Sequence, residues 1–226
     1  MIILTSCTAR KLDDIPIPPG ALTIQPLDYL DNAELIEKLN QTRKQIFDDP
    51  RTKIGVKSTY AFDLYVNSGN AYKDLKRNHY QQIKSLLLSR KLDWYFLSGG
   101  YGIIHALEPA KKYQATFSRG ISYQKKIPYT TKHWKELLPE IIETIVSKEN
   151  PEHFYTFGSQ DYTRFVKITN IWDTLNKHKT GYKMFESTGS AGPHWISKIL
   201  AKLANHIEKD DPASFGENYP EFTKQK

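Results

Sequence analysis

The chain has 226 residues, 39% of them hydrophobic and 25% charged, with a formal net charge of +7. That composition is ordinary for a globular protein able to bury a sizeable core, and nothing in it forces a split into two domains. Its one cysteine, Cys7, excludes an internal disulfide, the cation excess favours a polyanionic partner over a cationic one, and no signal peptide or apolar run near membrane-span length is seen, so a soluble, cytoplasmic monomer is expected.

Residues 1–5 form an apolar run that reads as a strand opening into Ser6-Cys7-Thr8-Ala9-Arg10-Lys11. In that loop Cys7 reads either as a nucleophile or as a small buried hydrophobe, the commoner fate of a lone cysteine. Arg10 and Lys11 are placed to meet an anion. Pro16, Pro18, Pro19 and Pro26 make residues 15–26 an extended connection. Leu30, Ala33, Leu35, Ile36, Leu39 and Ile46 predict an amphipathic helix over 28–47, capped at Asp31 or Asn32 and ended by Asp49-Pro50. The turn Asn67-Ser68-Gly69-Asn70 precedes a long predicted helix over 71–89 with Lys73, Lys76, Arg77 and Lys84 outside its apolar side.

Trp94 to Leu97 is a short apolar run that stops at Ser98-Gly99-Gly100. A strand followed by a glycine loop is how open α/β sheets build sites beyond the carboxyl ends of their strands, so Ser98, Tyr101, Glu108 and Tyr113 are expected to face one cleft, the alternative being a tight turn whose tyrosines pack on the core. Between Glu108 and Glu136 no acidic residue occurs. Lys111, Lys112, Arg119, Lys125, Lys126, Lys132 and Lys135 alternate there with Tyr113, Phe117, Tyr123, Tyr129 and Trp134. Cations that neutralise phosphates, interleaved with rings that stack on bases, suit a nucleic-acid groove.

Downstream, a helix over 133–148 carrying Pro139, a strand over 153–157 and a loop Gly158-Ser159-Gln160-Asp161-Tyr162 opening another helix are predicted. A last strand over 182–186 leads into Ser187-Thr188-Gly189-Ser190-Ala191-Gly192-Pro193 and a helix ending at Ile207. Glycines and hydroxyls before a helix suit a phosphate, though neither common nucleotide-loop pattern is present. Residues 1–209 read as a single α/β domain and 210–226 as a polar tail. The seven histidines are scattered, and no metal or cofactor is expected.

The segment Leu97-Ser98-Gly99-Gly100-Tyr101-Gly102-Ile103, with Leu107-Glu108-Pro109 and Tyr113, resembles the signature of the YaaA family of peroxide-stress proteins. Ser6-Cys7-Thr8-Ala9-Arg10-Lys11 is similar to that family's N-terminal loop, and Asp63-Leu64-Tyr65 with Gly69 and Tyr72 to its Leu-Tyr-x-Gly-x-x-Tyr segment. Gly100 stands where the family usually has a larger residue, and Gln114-Ala115-Thr116-Phe117 replaces its basic-then-acidic run. The resemblance covers about residues 1–117, with a fainter match from Tyr155 to Tyr162. It implies DNA as partner within a fold similar to uracil-DNA-glycosylase-like enzymes.

These readings converge on a mostly parallel sheet of four or more strands, with helices on both faces and all strand-end loops on one side. Cleaving an N-glycosidic bond asks for a carboxylate, a donor to the departing base, an aromatic stack and a phosphate grip. Asp63, Glu108 and Asp161 are the catalytic candidates, Gln160 or His194 the donors, and Tyr101 and Tyr113 the stack. Ser6, Cys7, Ser98, Gly99, Ser159, Ser187 and Gly189 complete the substrate site. Arg10, Lys11, Lys111, Lys112, Arg119, Lys125 and Lys126 are the expected nucleic-acid contacts. Two functions follow: a DNA N-glycosylase, or a DNA-binding stress or genome-protection protein with no chemistry.

Overall fold

A computed structural model describes residues 1–187 and 192–215. Its centre is a five-stranded sheet built from β1 (Ile2–Ser6), β3 (Asp93–Ser98), β4 (Gly102–His105), β6 (His153–Ser159) and β7 (Gly181–Ser187), in the order β4-β3-β1-β6-β7. β3, β1, β6 and β7 run parallel, and β4 returns antiparallel along β3. The second and third strands of the parallel set, β1 and β6, carry nearly continuous buried runs, the pattern of parallel strands covered on both faces. A separate small ladder pairs β2 (Ser58–Tyr60) with β5 (Pro109–Lys111).

The helices are α1 (Pro26–Tyr29), α2 (Ala33–Phe47), α3 (Ala61–Val66), α4 (Lys73–Asn78), α5 (Tyr80–Leu88), α6 (Arg119–Lys125), α7 (Thr131–Trp134), α8 (Leu137–Glu149), α9 (Gln160–Lys167), α10 (Ile171–Lys177), α11 (Gly192–Glu208) and α12 (Pro212–Phe215). They flank the sheet, with α11 packed on α4 and the sheet's β7 edge, and α8 packed on α2, α9 and α10. Asn32 caps α2 by accepting from the backbone N–H groups of Glu34 and Leu35, as the sequence predicts.

Several segments depart from the sequence reading; the helix expected over 133–148, for one, is divided into α7 and α8. The helix expected over 71–89 is broken into a short turn, α4 and α5, because two residues at its breaks are held by distant partners. Tyr72 donates its hydroxyl to Thr5 Oγ1 at 2.9 Å, and His79 Nδ1 lies 2.8 Å from Glu208 Oε1. The stretch after Gly99-Gly100, expected as loop, includes β4: Gly102 adopts φ +73°, a left-handed conformation open to glycine, and turns the chain back along β3. Within the expected polar tail, α12 buries Phe215 against Tyr155 and Phe185, and Tyr155 donates to the Pro212 carbonyl at 2.8 Å.

The order of the strands creates the site. From β1 the chain crosses to β3 on one side, whereas β6 lies on the other side and leads outward to β7. The loops leaving β1 and β6 therefore part, opening a crevice beyond their carboxyl ends. Ser6, Ser98, Ser159 and Ser187, each the last residue of its parallel strand, lie along that one edge, as expected from the sequence.

A methyl group on Gly102 would lie 2.4 Å from the Trp134 ring in addition to straining a left-handed backbone. Gly102→Ala is expected to cost more than about 2 kcal/mol by urea unfolding. Gly120→Ala, where no atom lies within 4 Å of the added methyl, should be neutral or slightly stabilising in the same assay.

Candidate functional site

The crevice holds a cavity of about 520 Å³, of a size that takes a nucleotide-sized molecule. The loop after β1 supplies Ser6, Cys7, Thr8, Ala9, Arg10 and Lys11, and the turn after α3 supplies Ser68, Gly69, Asn70 and Ala71. Gln114, Ala115 and Thr116 form a wall, Ile121, Lys125 and Ile127 come from α6 and its exit, and Ser159, Tyr162, Ser187 and Ile196 close the side beneath β6, β7 and α11. Gly69 lets the two loops meet, since a methyl there would lie 2.1 Å from Thr8 Cγ2.

Among the described residues lining the cavity, three are cations, Arg10, Lys11 and Lys125, and none is acidic. Hydroxyl and amide groups supply neutral donors beside them. An anion placed here meets attraction without carboxylate repulsion.

Lys11 is the most unusual of the three. It is 4% exposed, and its Nζ donates to the Thr8 carbonyl at 2.8 Å and sits 4.1 Å from the centroid of the Tyr113 ring. No carboxylate pairs with it among the described residues. Burial pulls its pKa below the ordinary 10.5, Lys125 adds to the effect, and the Cys7 sulfur opposes both.

Beneath Lys11 runs a chain of hydroxyls. Ser98 Oγ lies 2.5 Å from the Tyr113 hydroxyl, which donates to Cys7 Sγ at 3.5 Å, and Cys7 Sγ lies 3.6 Å from the Tyr162 hydroxyl. Tyr65 joins at 3.2 Å from the Tyr113 oxygen. Burial raises the pKa of Tyr65, Tyr113 and Tyr162 well above the usual phenol value, so all three are neutral donors.

Of the residues expected from sequence, Ser6, Cys7, Arg10, Lys11, Lys125, Ser159 and Ser187 line the cavity. The three carboxylates do not. Asp63 is buried in an ion pair with Lys84 at 2.8 Å and accepts a hydrogen bond from Tyr80. Glu108 is buried against Arg43 at 2.5 Å and accepts from the Tyr29 hydroxyl at 3.0 Å. Asp161 sits in the first turn of α9, where a negative charge suits the helix dipole.

The expected stack and donors are also placed elsewhere. Tyr101 is buried, receives the Lys111 N–H at 2.7 Å, and has its pKa pushed up to about 12 by burial. Tyr113 lies under the cavity floor rather than across it. Ser98 accepts the Tyr101 N–H, and Gly99 packs so closely on Ala115 and Thr116 that a methyl would lie 2.6 Å from the Thr116 nitrogen. Gln160 and His194 are exposed and outside the lining, and Gly189 falls outside the described residues. Lys111, Lys112, Arg119 and Lys126 are exposed near the site without lining it. Thr8, Asn70, Gln114, Thr116 and Tyr162 also line the cavity without having been expected as site residues, although Thr8 and Tyr162 both stand in segments read from sequence as strand-end loops.

Arg43 ties the glycine loop to α2. Besides Glu108 it donates to the carbonyls of Tyr101 at 2.9 Å and Ile103 at 2.7 Å. Glu108→Ala leaves that guanidinium buried without its anion and is expected to cost about 3–5 kcal/mol in urea unfolding, whereas Arg43→Met with Glu108→Leu should recover most of the loss. A carboxylate used only in chemistry would leave stability unchanged. Lys11→Met is expected to act oppositely. Because the folded pKa of Lys11 is lowered, the cost of burying its charge is full below that pKa and fades as pH rises to 10.5. The variant should melt higher at pH 7, by about 2–4 °C for each 1 kcal/mol relieved, with an advantage that shrinks toward pH 10.5.

Among the described residues, no cluster of His, Cys, Asp or Glu is placed to hold a metal ion, and no helix is long and apolar enough to cross a membrane. In comparisons with known proteins, no family model and no curated protein matches the chain.

Proposed function

We propose that the protein binds DNA and draws one nucleotide into the cavity beyond the carboxyl ends of β1 and β6. The observation that carries this reading is the cavity's lining, with three cations and no carboxylate among its described residues. The nucleotide's phosphate meets Arg10 and Lys125 at the mouth, both on exposed positions, while Ile121, Ile127 and Ile196 offer an apolar wall to its flat part.

Helix α6 extends the same surface. None of its residues is buried, and it presents Arg119, Lys125 and the 88% exposed ring of Tyr123. Of the rings interleaved with cations in the acid-free interval, Tyr113, Phe117 and Trp134 are core residues, Tyr129 is half-buried, and Tyr123 is the most exposed and so the best placed to stack on a base. Glycosidic cleavage by a carboxylate finds no support in this lining, because Asp63 and Glu108 are neutralised in ion pairs elsewhere. The binding reading is therefore preferred over the glycosylase.

Fluorescence anisotropy with labelled single-stranded and duplex oligonucleotides, between 50 and 200 mM salt, tests it. Arg10→Ala and Lys125→Ala should each weaken affinity and lower the slope of log K against log salt by about one unit. Tyr123→Ala should cost about 1–3 kcal/mol on single strands and leave the slope alone. Wild-type binding with no salt dependence, or variants that bind as the wild type does, would remove the cavity from the interface.

A further inference from the structure

We propose that Lys11 is a carbonyl-reactive amine, whose Nζ condenses with an aldehyde carbon seated in the cavity to form an imine, the aldehyde being the ring-opened C1′ of an abasic deoxyribose. The choice of aldehyde rests on the DNA-binding reading above; the reactivity of the amine does not.

The same molecule shows what a structural lysine looks like. Lys84 also reaches into the interior, and there it meets a buried carboxylate, Asp63, at 2.8 Å. Lys11 is buried more deeply and meets a backbone carbonyl and the face of Tyr113. A lysine is seldom buried without an anion, since nothing then offsets the loss of water around its charge. The carbonyl and the ring face favour the ammonium, but the loss of water around the charge raises the share of free amine at a given pH, as the direction of its pKa indicates, and the free amine is the nucleophilic form. No carboxylate among the described lining residues would hold the proton on it, and of its titratable neighbours only the Cys7 sulfur acts in that direction. Position completes the case, because Lys11 forms part of the wall of a cavity large enough for a sugar and its flanking phosphates.

The substrate class follows from the cavity's charge and from the need for an electrophilic carbon. Arg10 and Lys125 suit phosphates on either side of the sugar. An intact nucleotide has no carbonyl carbon in its sugar, whereas a deoxyribose that has lost its base opens to an aldehyde at C1′. The amine lone pair forms the N–C1′ bond while the carbonyl π pair moves to oxygen, and one nitrogen proton passes to that oxygen, giving the carbinolamine. The carbinolamine then loses its hydroxyl together with the second nitrogen proton as water, leaving C=N. Amine and aldehyde thus give imine and water, with no change of oxidation state and no co-reactant.

Two probes test this. The first is pyridoxal 5′-phosphate, an anionic aldehyde, and the second is an oligonucleotide with one abasic site; each is incubated with the full chain and cyanoborohydride, which reduces the imine to a stable amine. Peptide mass spectrometry locates the label, and its pH dependence is followed against that of an exposed lysine such as Lys38. The groups that face Lys11 are Cys7, Tyr65, Tyr113 and Lys125, and with both tyrosines neutral the labelling of Lys11 should rise at lower pH than that of Lys38.

The expected result is preferential labelling of Lys11 by both probes, lost in Lys11→Met and in Lys11→Arg, with folding of both variants checked by thermal melting and Lys38→Arg labelling as the wild type does. Label on Lys11 from pyridoxal phosphate but not from abasic DNA, in a chain that fails to bind DNA by anisotropy, would uphold the amine and overturn the DNA reading. DNA binding without adduct to abasic DNA would overturn the proposed substrate. Labelling of Lys11 no faster than of Lys38 by either probe would overturn the proposal outright.

Discussion

β1 is hemmed in on both sides by parallel neighbours, and the rest of the molecule depends on that position. With β3 and β6 pairing its two edges, its backbone groups are spent in the sheet, and Ile2, Ile3 and Leu4 are buried. Thr5, the one polar residue in this buried run, accepts from the Tyr72 hydroxyl and from the Trp94 indole, each at 2.9 Å, so that its own buried oxygen is paired. The chain can leave such a strand only past its carboxyl end, where the Cys7 N–H still reaches the Leu97 carbonyl at 2.7 Å. The loop from Cys7 to Lys11 is therefore pinned at its start, and its side chains are delivered to the crevice beside β6.

The glycine-rich loop after β3 serves this arrangement indirectly. Its glycines let other segments approach: Gly99 admits the backbone of Ala115 and Thr116, Gly100 admits the Tyr113 ring, and Gly102 lies against Trp134. Arg43 holds the loop from the other side through two carbonyls and Glu108, and Trp134 donates to the Gly99 carbonyl at 3.1 Å. What the loop presents to the cavity is thus the segment 114–116, carried on its back. Charge is divided in the same way. The carboxylates of Asp63 and Glu108 lie in the interior with their cations, where removing either partner is costly, while the cavity keeps cations without carboxylates. Interior pairs stabilise the frame, and the unpaired lysine is tolerated at some expense of stability where binding or chemistry can use it.

Apolar runs, glycines and caps are local signals, and so the four parallel strands, the cap of α2 and the stop at Asp49-Pro50 could be read from residue order alone. The shared edge of Ser6, Ser98, Ser159 and Ser187 was legible for the same reason, since alternating strands and helices admit few other topologies. The acid-free interval marked a basic surface that includes Lys125, and Arg10 and Lys11 were legible from the loop after β1. Tertiary structure alone decided which of those cations would be buried, and which rings would be core. Tyr113 and Tyr123 look alike in the sequence, yet one is packed under Lys11 and the other is open to solvent. It decided the carboxylates as well. Asp63 and Glu108 stood in recognisable segments, but their partners Lys84 and Arg43 lie 21 and 65 residues away, and a charge's role depends on what folding brings beside it, which spacing along the chain does not encode.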